Sequence, residues 1–497
     1  MKSILNILAF FVLAAGCSGS PEQANIFKSN SQDKKVLGDK LDSLLNGYDF
    51  YNRFSGTVLI ASGDDIWYHK SFGYSDVEKN RMNHNASVYG IGSLTKQFTA
   101  TAILKLSQEG KLSLSDKLSD YFPALGETAT QISIHHLLSM SSEIYEDFAR
   151  SKTYDTESIV FPDSISISTH ELVHYFGEIA SDSKPGSKFD FSNINYIFLA
   201  AIVEKVSGQQ YGEYLRTHLW EPSGLRMTVF GIENADTLLL SKPYIGLPNE
   251  HITPEHWHDS WAKGAGGAFS SSIEMHKWMY GVNNYSILDS LHTKKLYRKH
   301  TKAGREHYGY GWQITTRKDH EYRYHEGGTL GYVCEAGFFP DLNLYMVVLT
   351  NHTHDLLEMG RSVRLNKGII SQIHNILFDE PFTVLLTPIE NSSLTLKDSF
   401  IVGGYTFEVS QNDNKLNITS NDNGTSILDV PFWQGLIEDS RRFKKAEKIA
   451  IAFGEEDFRY VIRKSGIMLK VLLSAQKLEQ IWEEITGEKG EFIAYNF

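Results

Sequence analysis

Apolar residues run almost unbroken from Ile4 to Ala15, behind the cationic Lys2, and then give way to a polar stretch, Ser18 to Lys35, without periodicity. A short apolar run behind a positive charge reads as the core of an export signal and is too short for a comfortable membrane span. The aperiodic stretch suits a tether. Alternation appears next. Thr57-Val58-Leu59-Ile60 and Ile66-Trp67-Tyr68 flank Ser62-Gly63-Asp64-Asp65, which predicts a β-hairpin. From Ser93 to Gln108 the period changes to helical, with Phe98, Ala102, Ile103 and Leu106 on one face and Gly110 as the stop. The middle, Ile132 to about Val282, reads as helix and loop, and strands return at Tyr308–Ile314, Tyr332–Phe339 and Leu344–Thr350. A helix follows around Arg361 to Leu377. Strands at both ends with helices between them predict one sheet assembled from distant segments, with a helical subdomain inserted into it.

Beyond Pro381 the pattern shortens. Phe400–Val409, Lys415–Thr419, Ile449–Phe453, Phe458–Lys464 and Ile467–Leu473 are β-like runs separated by clusters such as Gln411-Asn412-Asp413-Asn414. The expected organisation is therefore residues 1–16 as signal peptide, 17–35 as tether, 36–380 as the main domain and 381–497 as a small β-rich accessory domain. The junction Ala14-Ala15-Gly16-Cys17 resembles a bacterial lipobox, although Ala14 stands where leucine is commoner. The resemblance implies cleavage before Cys17, acylation of that residue, and attachment to a membrane facing the periplasm or cell exterior.

Composition narrows the classes. Of 497 residues 41% are hydrophobic and 22% charged, enough apolar content for a large core. Lys and Arg number 48 against 60 Asp and Glu, a net charge of −12, so a nucleic-acid partner is not expected. Two cysteines, Cys17 and Cys334, build neither a disulfide framework nor a zinc cage. Cys334 lies in an apolar run, where buried packing is the expected role. His251, His256 and His258 cluster without acidic or cysteine partners at ligand spacing, and His325-Glu326 lacks the second histidine of a zinc motif, so no metal is expected. His135-His136 reads as the beginning of a helix.

One pairing carries chemistry. A Ser-x-x-Lys pair puts both side chains on one helix face, where the lysine can accept the serine proton. The pattern occurs five times, at Ser31/Lys34, Ser93/Lys96, Ser181/Lys184, Ser260/Lys263 and Ser474/Lys477. Ser93/Lys96 alone opens a long helix after a glycine-containing turn, Tyr89-Gly90-Ile91-Gly92. A helix N-terminus favours an oxyanion and disfavours a protonated amine, which suits a nucleophile and its base.

The surrounding segments extend the pattern. Phe54-Ser55-Gly56-Thr57, Phe72-Gly73-Tyr74, Ile91 to Thr99, Glu109 to Asp116, Pro185-Gly186, Gly266 to Ser271, Tyr308-Gly309-Tyr310-Gly311-Trp312 and His325-Glu326-Gly327-Gly328 stand in a fixed order. Over about residues 38–378 the chain resembles the β-lactamase-related serine hydrolases of the class C and esterase/D-peptidase kind. That resemblance implies a penicillin-recognising α/β fold, an antiparallel sheet flanked by helices. It implies Ser93 as nucleophile, Lys96 as base and His325 as the third catalytic element. It also implies a substrate-binding set of Phe191, Asn193, Gly327 and Gly328, with the Ser93 and Gly328 amides as an oxyanion hole. No cofactor and no particular oligomeric state are implied.

Two positions depart from the family pattern. The second element, usually Tyr-x-Asn, reads Phe191-Ser192-Asn193, and a phenylalanine can only pack there, neither giving nor taking a proton. Tyr196 stands where the family commonly has a scaffold tyrosine. Met140-Ser141-Ser142-Glu143 stands where the family usually has His-Thr-Ser-Gly, and Glu143 in place of glycine predicts an altered loop. Two functions are therefore expected: an exported serine hydrolase acting on an ester, a D-amino-acid peptide or a β-lactam, or a lipid-anchored module that binds such small-molecule or peptide acyl ligands with little turnover. For the anchor, the expected outcome is that Cys17→Ser releases the protein from the membrane fraction. Ultracentrifugation of the two forms checks this, and equal sedimentation with membranes refutes it.

Overall fold

The computed structural model describes residues 31–50, 54–144, 168, 184–245, 253–254, 258–329, 331–353, 359–380 and 382, with strand segments of the backbone between Asp398 and Val471. The signal segment, Cys17, His251 and His256 lie outside the described residues. Helix α1 (Ser31–Phe50) buries Leu37, Leu41, Leu44, Leu45 and Tyr48, a spacing of three and four that lines one face. Its first turn takes in Ser31 to Lys35, which polar composition had assigned to the tether. Lys35 pairs with Asp39 one turn on at 2.8 Å and Lys34 pairs with Asp65, so the folded body begins earlier than expected.

The scaffold is a single antiparallel sheet. In chain order its strands are β1 (Gly56–Ser62), β2 (Asp65–Phe72), β3 (Thr301–Ala303), β4 (Glu306–Tyr308), β5 (Gln313–Arg317), β6 (His320–Thr329), β7 (Tyr332–Phe339) and β8 (Leu344–Thr350). In space they run β2-β1-β8-β7-β6-β5-β4-β3. The hairpin and the strands at 332–339 and 344–350 fall where the sequence pattern puts them. The run Tyr308–Ile314 instead ends β4 and begins β5, because Gly309 and Gly311 turn the chain between them.

Both faces of the sheet are covered, and the two-residue period sorts the side chains between them. On β1, Val58 and Ile60 join Leu41, Leu44, Ile369 and Ile373 in one core, while Leu59 and Ala61 join Phe98, Trp278 and Trp312 in the other. On β8, Leu344, Met346 and Val348 face the first core, and Tyr345, Val347 and Leu349 the second. A strand buried on both faces reads as a continuous apolar run, which explains Leu344-Tyr345-Met346-Val347-Val348-Leu349.

The first core is closed by α1 and by α5 (Met359–Leu377), whose Ile369, Ile370, Ile373, Ile376 and Leu377 face the sheet. The second holds α2 (Thr95–Gln108), α3 (Asn193–Ser207) and α4 (Ser272–Asn283). Helix α2 is buried on nearly every side rather than on one face. Two of its threonines are satisfied by carbonyls, Thr99 Oγ1 donating to Gly264 O at 2.7 Å and Thr101 Oγ1 to Gln97 O at 2.8 Å. Among the described residues no helix is long and apolar enough to cross a membrane.

Further along, strands Asp398–Val402, Tyr405–Asn412, Lys415–Ser420 and Ser426–Pro431 pair antiparallel in chain order. The expected run Phe400–Val409 divides between the first two. Gly435–Glu438, Ile467–Val471, Tyr460–Lys464 and Ile449–Ala450 form a second antiparallel sheet.

Several imidazoles are packed inside the main body. Burial pushes His69, His136 and His300 down to about 4, helped by His276 at His69, by His135 and Lys117 at His136, and by His135 and Arg298 at His300. The unfolded chain, with histidines near the ordinary 6.5, therefore binds more protons than the native one between about pH 6.5 and 4. Stability from these groups is present above pH 6.5 and is lost as the pH falls. Urea unfolding followed by tryptophan fluorescence should give a lower midpoint at pH 5.5 than at pH 7.5; an unchanged or higher midpoint contradicts this.

Candidate active site

Ser93 sits in a single 3-10 turn, Gly92–Leu94, that leads directly into α2. The helix proper begins at Thr95, two residues later than the sequence pattern places it, and Lys96 lies in its first turn. Ser93 keeps partial access to solvent while Lys96 is fully buried. Lys96 Nζ lies 2.8 Å from Ser93 Oγ, 2.7 Å from Asn193 Oδ1 and 2.8 Å from Ala265 O. An ammonium has three N–H bonds, and three oxygens from three separate segments stand around this one. A buried amine held by so many fixed acceptors has one orientation.

Each acceptor is delivered by a different device. Asn193 is the first residue of α3, after the extended Ser192, so its short side chain points back toward the start of α2. Ala265 arrives through close backbone contact. A Cβ on Gly264 would stand 2.3 Å from Tyr196 O and 2.6 Å from Ala200 Cβ, so the loop can lie on α3 only because that residue is glycine.

Strand β6 runs past the same turn. A Cβ on Gly327 would stand 2.1 Å from Ile91 O, and one on Gly92 would stand 2.7 Å from Gly328 N. The Gly327-Gly328 backbone is thus pressed against the turn that carries Ser93.

His325, on the same strand, is buried. Its Nδ1 lies 2.6 Å from the carbonyl of Glu326 and its Nε2 lies 3.0 Å from the hydroxyl of Tyr308. A carbonyl only accepts, so Nδ1 carries the proton and Nε2 receives the Tyr308 hydroxyl. Burial, reinforced by the charge of Lys96, pushes His325 down to about 3.

The second element differs from the sequence expectation. Phe191 is half-exposed, and its ring centroid stands 5.3 Å from Lys96 Nζ. It offers the amine a π face as well as packing, as Tyr196 does at 5.8 Å. The Tyr196 hydroxyl donates to Leu138 O at 2.9 Å, which is a scaffold role.

Glu143 brings a second correction. It adopts φ +57, the left-handed conformation that glycine takes without cost, so the loop keeps a glycine-like turn with a glutamate in it. Ser187 Oγ donates to its carboxylate and Lys188 Nζ lies 3.8 Å away, which holds the side chain in place.

The structure therefore brings Ser93, Lys96, Asn193, Phe191, His325, Gly327 and Gly328 together. Cys334 is buried in β7 and burial pushes its thiol up to about 12; it belongs to the core. His135 lies inside the helix Ile134–Leu138, as expected. Among the other Ser-x-x-Lys pairs, Lys34 bonds Asp65 and Lys263 bonds Glu204. Sequence reasoning missed Ala265 and Tyr308. The glycine-rich run Gly264-Ala265-Gly266-Gly267 and the aromatic run at 308–312 were the available signals.

A serine in a tight turn, a buried lysine set on its Oγ and a glycine strand alongside define a serine-hydrolase site on an antiparallel sheet. Residues 41–365 match the Beta-lactamase family, and the chain belongs to that family of serine hydrolases. Penicillin-binding protein 4* of Bacillus subtilis (strain 168) is 24% identical over 377 residues, 71% of this chain and 79% of that protein. Protein flp of Staphylococcus aureus (strain MW2) is 27% identical over 360 residues, 67% of this chain and 68% of that one. The D-amino acid amidase from Ochrobactrum anthropi SV3 shares the fold with a TM-score of 0.60 at 18% identity, over 70% of this chain and 99% of that one.

The three-acceptor arrangement makes a quantitative expectation for Asn193→Ala. Hydrogen bonds to a charged group are worth about 1.5–3 kcal/mol, or roughly 10- to 10²-fold in rate. Labelling of Ser93 by a fluorophosphonate, followed by intact mass, should slow by about that factor while the far-UV circular dichroism stays unchanged. Labelling at the native rate would show that Asn193 does not orient Lys96.

Proposed function

We propose that the protein is an exported, lipid-anchored serine hydrolase that forms an acyl-enzyme on Ser93, with an ester, a D-amino-acid peptide or a β-lactam as the substrate class. The observation that supports this most is the geometry of Lys96. In the neutral amine two N–H bonds have Asn193 Oδ1 and Ala265 O as acceptors, which leaves the lone pair directed at Ser93 Oγ. Ser93 Oγ attacks the acyl carbon and its proton passes to Lys96 Nζ. The carbonyl oxygen takes the negative charge beside the Ser93 and Gly328 amides. The bond to the leaving group then breaks, and that group takes the proton from Lys96. Water repeats the sequence on the acyl-enzyme and releases the acid.

Anchoring rests on Cys17 and the polar residues after it. Residues 381–497 form an accessory β-rich domain in this reading. The similarity to penicillin-binding protein 4* supports the substrate class.

Deacylation is the step where this chain is poorly equipped. Phe191 has no hydroxyl, the Tyr196 phenol is bonded to Leu138 O and the Tyr308 phenol to His325. Among the described residues neither of these phenols is left to activate the hydrolytic water, which also favours the second reading, a module that traps acyl ligands. A positioned acid–base group contributes ~10²–10⁴-fold.

On an activated ester we expect a burst of leaving group equivalent to one per Ser93, then a slow steady rate. Phe191→Tyr should raise the steady rate at constant burst amplitude. Absence of a burst, and of a Ser93 adduct with fluorophosphonate or penicillin, would refute the hydrolase. Rapid linear turnover unaffected by Phe191→Tyr would refute slow deacylation.

A further inference from the structure

One turn beyond Lys96 on α2 stands Thr99, which takes no part in the acyl transfer described above. Its hydroxyl is buried, 2.7 Å from Gly264 O, 2.7 Å from the Tyr211 hydroxyl and 3.3 Å from Thr95 O. A carbonyl only accepts, and the shorter of the two carbonyl contacts takes the single Thr99 proton. The Tyr211 hydroxyl is then the donor to Thr99 Oγ1. A hydroxyl that accepts one bond donates the next more strongly.

This relay ends on the residue before Ala265, whose own carbonyl holds Lys96 Nζ at 2.8 Å. Gly264 lies at φ +81, where glycine is free to turn and has no side chain to steady it. The direction of the next carbonyl is therefore set by bonds from outside the loop. Lys263, on the other side of the glycine, is held 3.1 Å from Glu204 Oε1, and the same oxygen accepts Tyr211 N at 2.8 Å. The Tyr211 ring is buried and stands edge-on to Phe230 at 5.2 Å, so its hydroxyl is fixed in place. Lys263, Gly264 and Ala265 are thus each tied down, and the tie in the middle is the Thr99 hydroxyl.

We infer that Thr99, with Tyr211 as its donor, is a positioning residue for the reaction: by holding Gly264 O it keeps Ala265 O on Lys96 and so keeps the amine aimed at Ser93. This rests on the serine-hydrolase reading above. Ala265 O also stabilises the ammonium form, so loosening it makes Lys96 easier to deprotonate as well as less well aimed. Among the described residues, the titratable side chains against Lys96 are His325 on β6 and Tyr196 on α3. Burial and the charge of Lys96 push His325 down to about 3, and burial raises the Tyr196 phenol well above its ordinary range. Glu204 and Lys263, paired with each other, are the charged groups beside the Tyr211 end, and burial raises the Tyr211 phenol. Neither histidine nor phenol titrates where the lysine limb is read.

The test is the rate at which a fluorophosphonate labels Ser93 in the full mature chain from about pH 5 to 10, followed by intact mass. Thr99→Val keeps the shape and removes the hydroxyl. It should lower the plateau rate at least ~5-fold and move the acidic limb down by about half a pH unit. Thr99→Ser should restore both, and Tyr211→Phe should move both in the same direction as Thr99→Val by a smaller amount. A native rate and limb in folded Thr99→Val overturn the inference. So does a slower rate with the limb unmoved and no recovery in Thr99→Ser, which makes Thr99 a packing residue only. If Thr99→Val fails to fold, a native rate and limb in Tyr211→Phe overturn it instead. A native protein that forms no Ser93 adduct at any pH overturns the hydrolase reading and this inference with it.

Discussion

Everything at this site is arranged around one buried amine. Lys96 lies at zero exposure inside the second core, and the cost of burying it is offset by Ser93 Oγ, Asn193 Oδ1 and Ala265 O together. Those oxygens come from the turn before α2, the start of α3 and a loop laid on α3. None can shift without leaving the amine underprovided. The start of α2, the start of α3 and the loop at Ala265 are therefore fastened to one another at the amine itself. Catalytic geometry and core integrity are the same constraint here, and a site held this way is preorganised before any ligand arrives.

The sheet serves that constraint by close contact. Strand β6 reaches the Ser93 turn because Gly327 has no side chain to hold it off Ile91, and β6 is an interior strand held by β5 and β7. The Ser93 turn and the Gly327-Gly328 backbone are packed directly on each other. A serine so placed owes its character to backbone packing as much as to its lysine.

Much of this was legible from residue order, and the illegible part has a common cause. The hairpin at 56–72, the strands at 332–339 and 344–350 and the pairing of Ser93 with Lys96 are written in side-chain pattern, which is local. Strand β6 was harder to read as an element, since His320-Glu321-Tyr322-Arg323-Tyr324-His325 mixes charge and aromatic rings without clean alternation of polarity. The carbonyl of Ala265 is marked only by the glycines around it, because every residue has a carbonyl and only the fold chooses which one matters. Glu143 misled for a related reason. Its type argues against a left-handed turn, while Ser187 and Lys188, distant in the chain, secure it there. Tyr308 was visible as part of an aromatic run, but its bond to His325 spans two strands and belongs to register rather than sequence.

The pairing of β1 with β8 joins Gly56 to Thr350 and Ser62 to Leu344, so the first strand of the sheet finds its central partner only near the end of the domain. Closing a loop of that length carries a large entropic cost before the contact returns anything. A nascent chain that has emerged only as far as β7 holds a hairpin with one apolar edge open and neither core complete. The domain has no stable half, and assembly must wait for a late segment. Such a chain keeps apolar surface open to aggregation until its last strand is delivered.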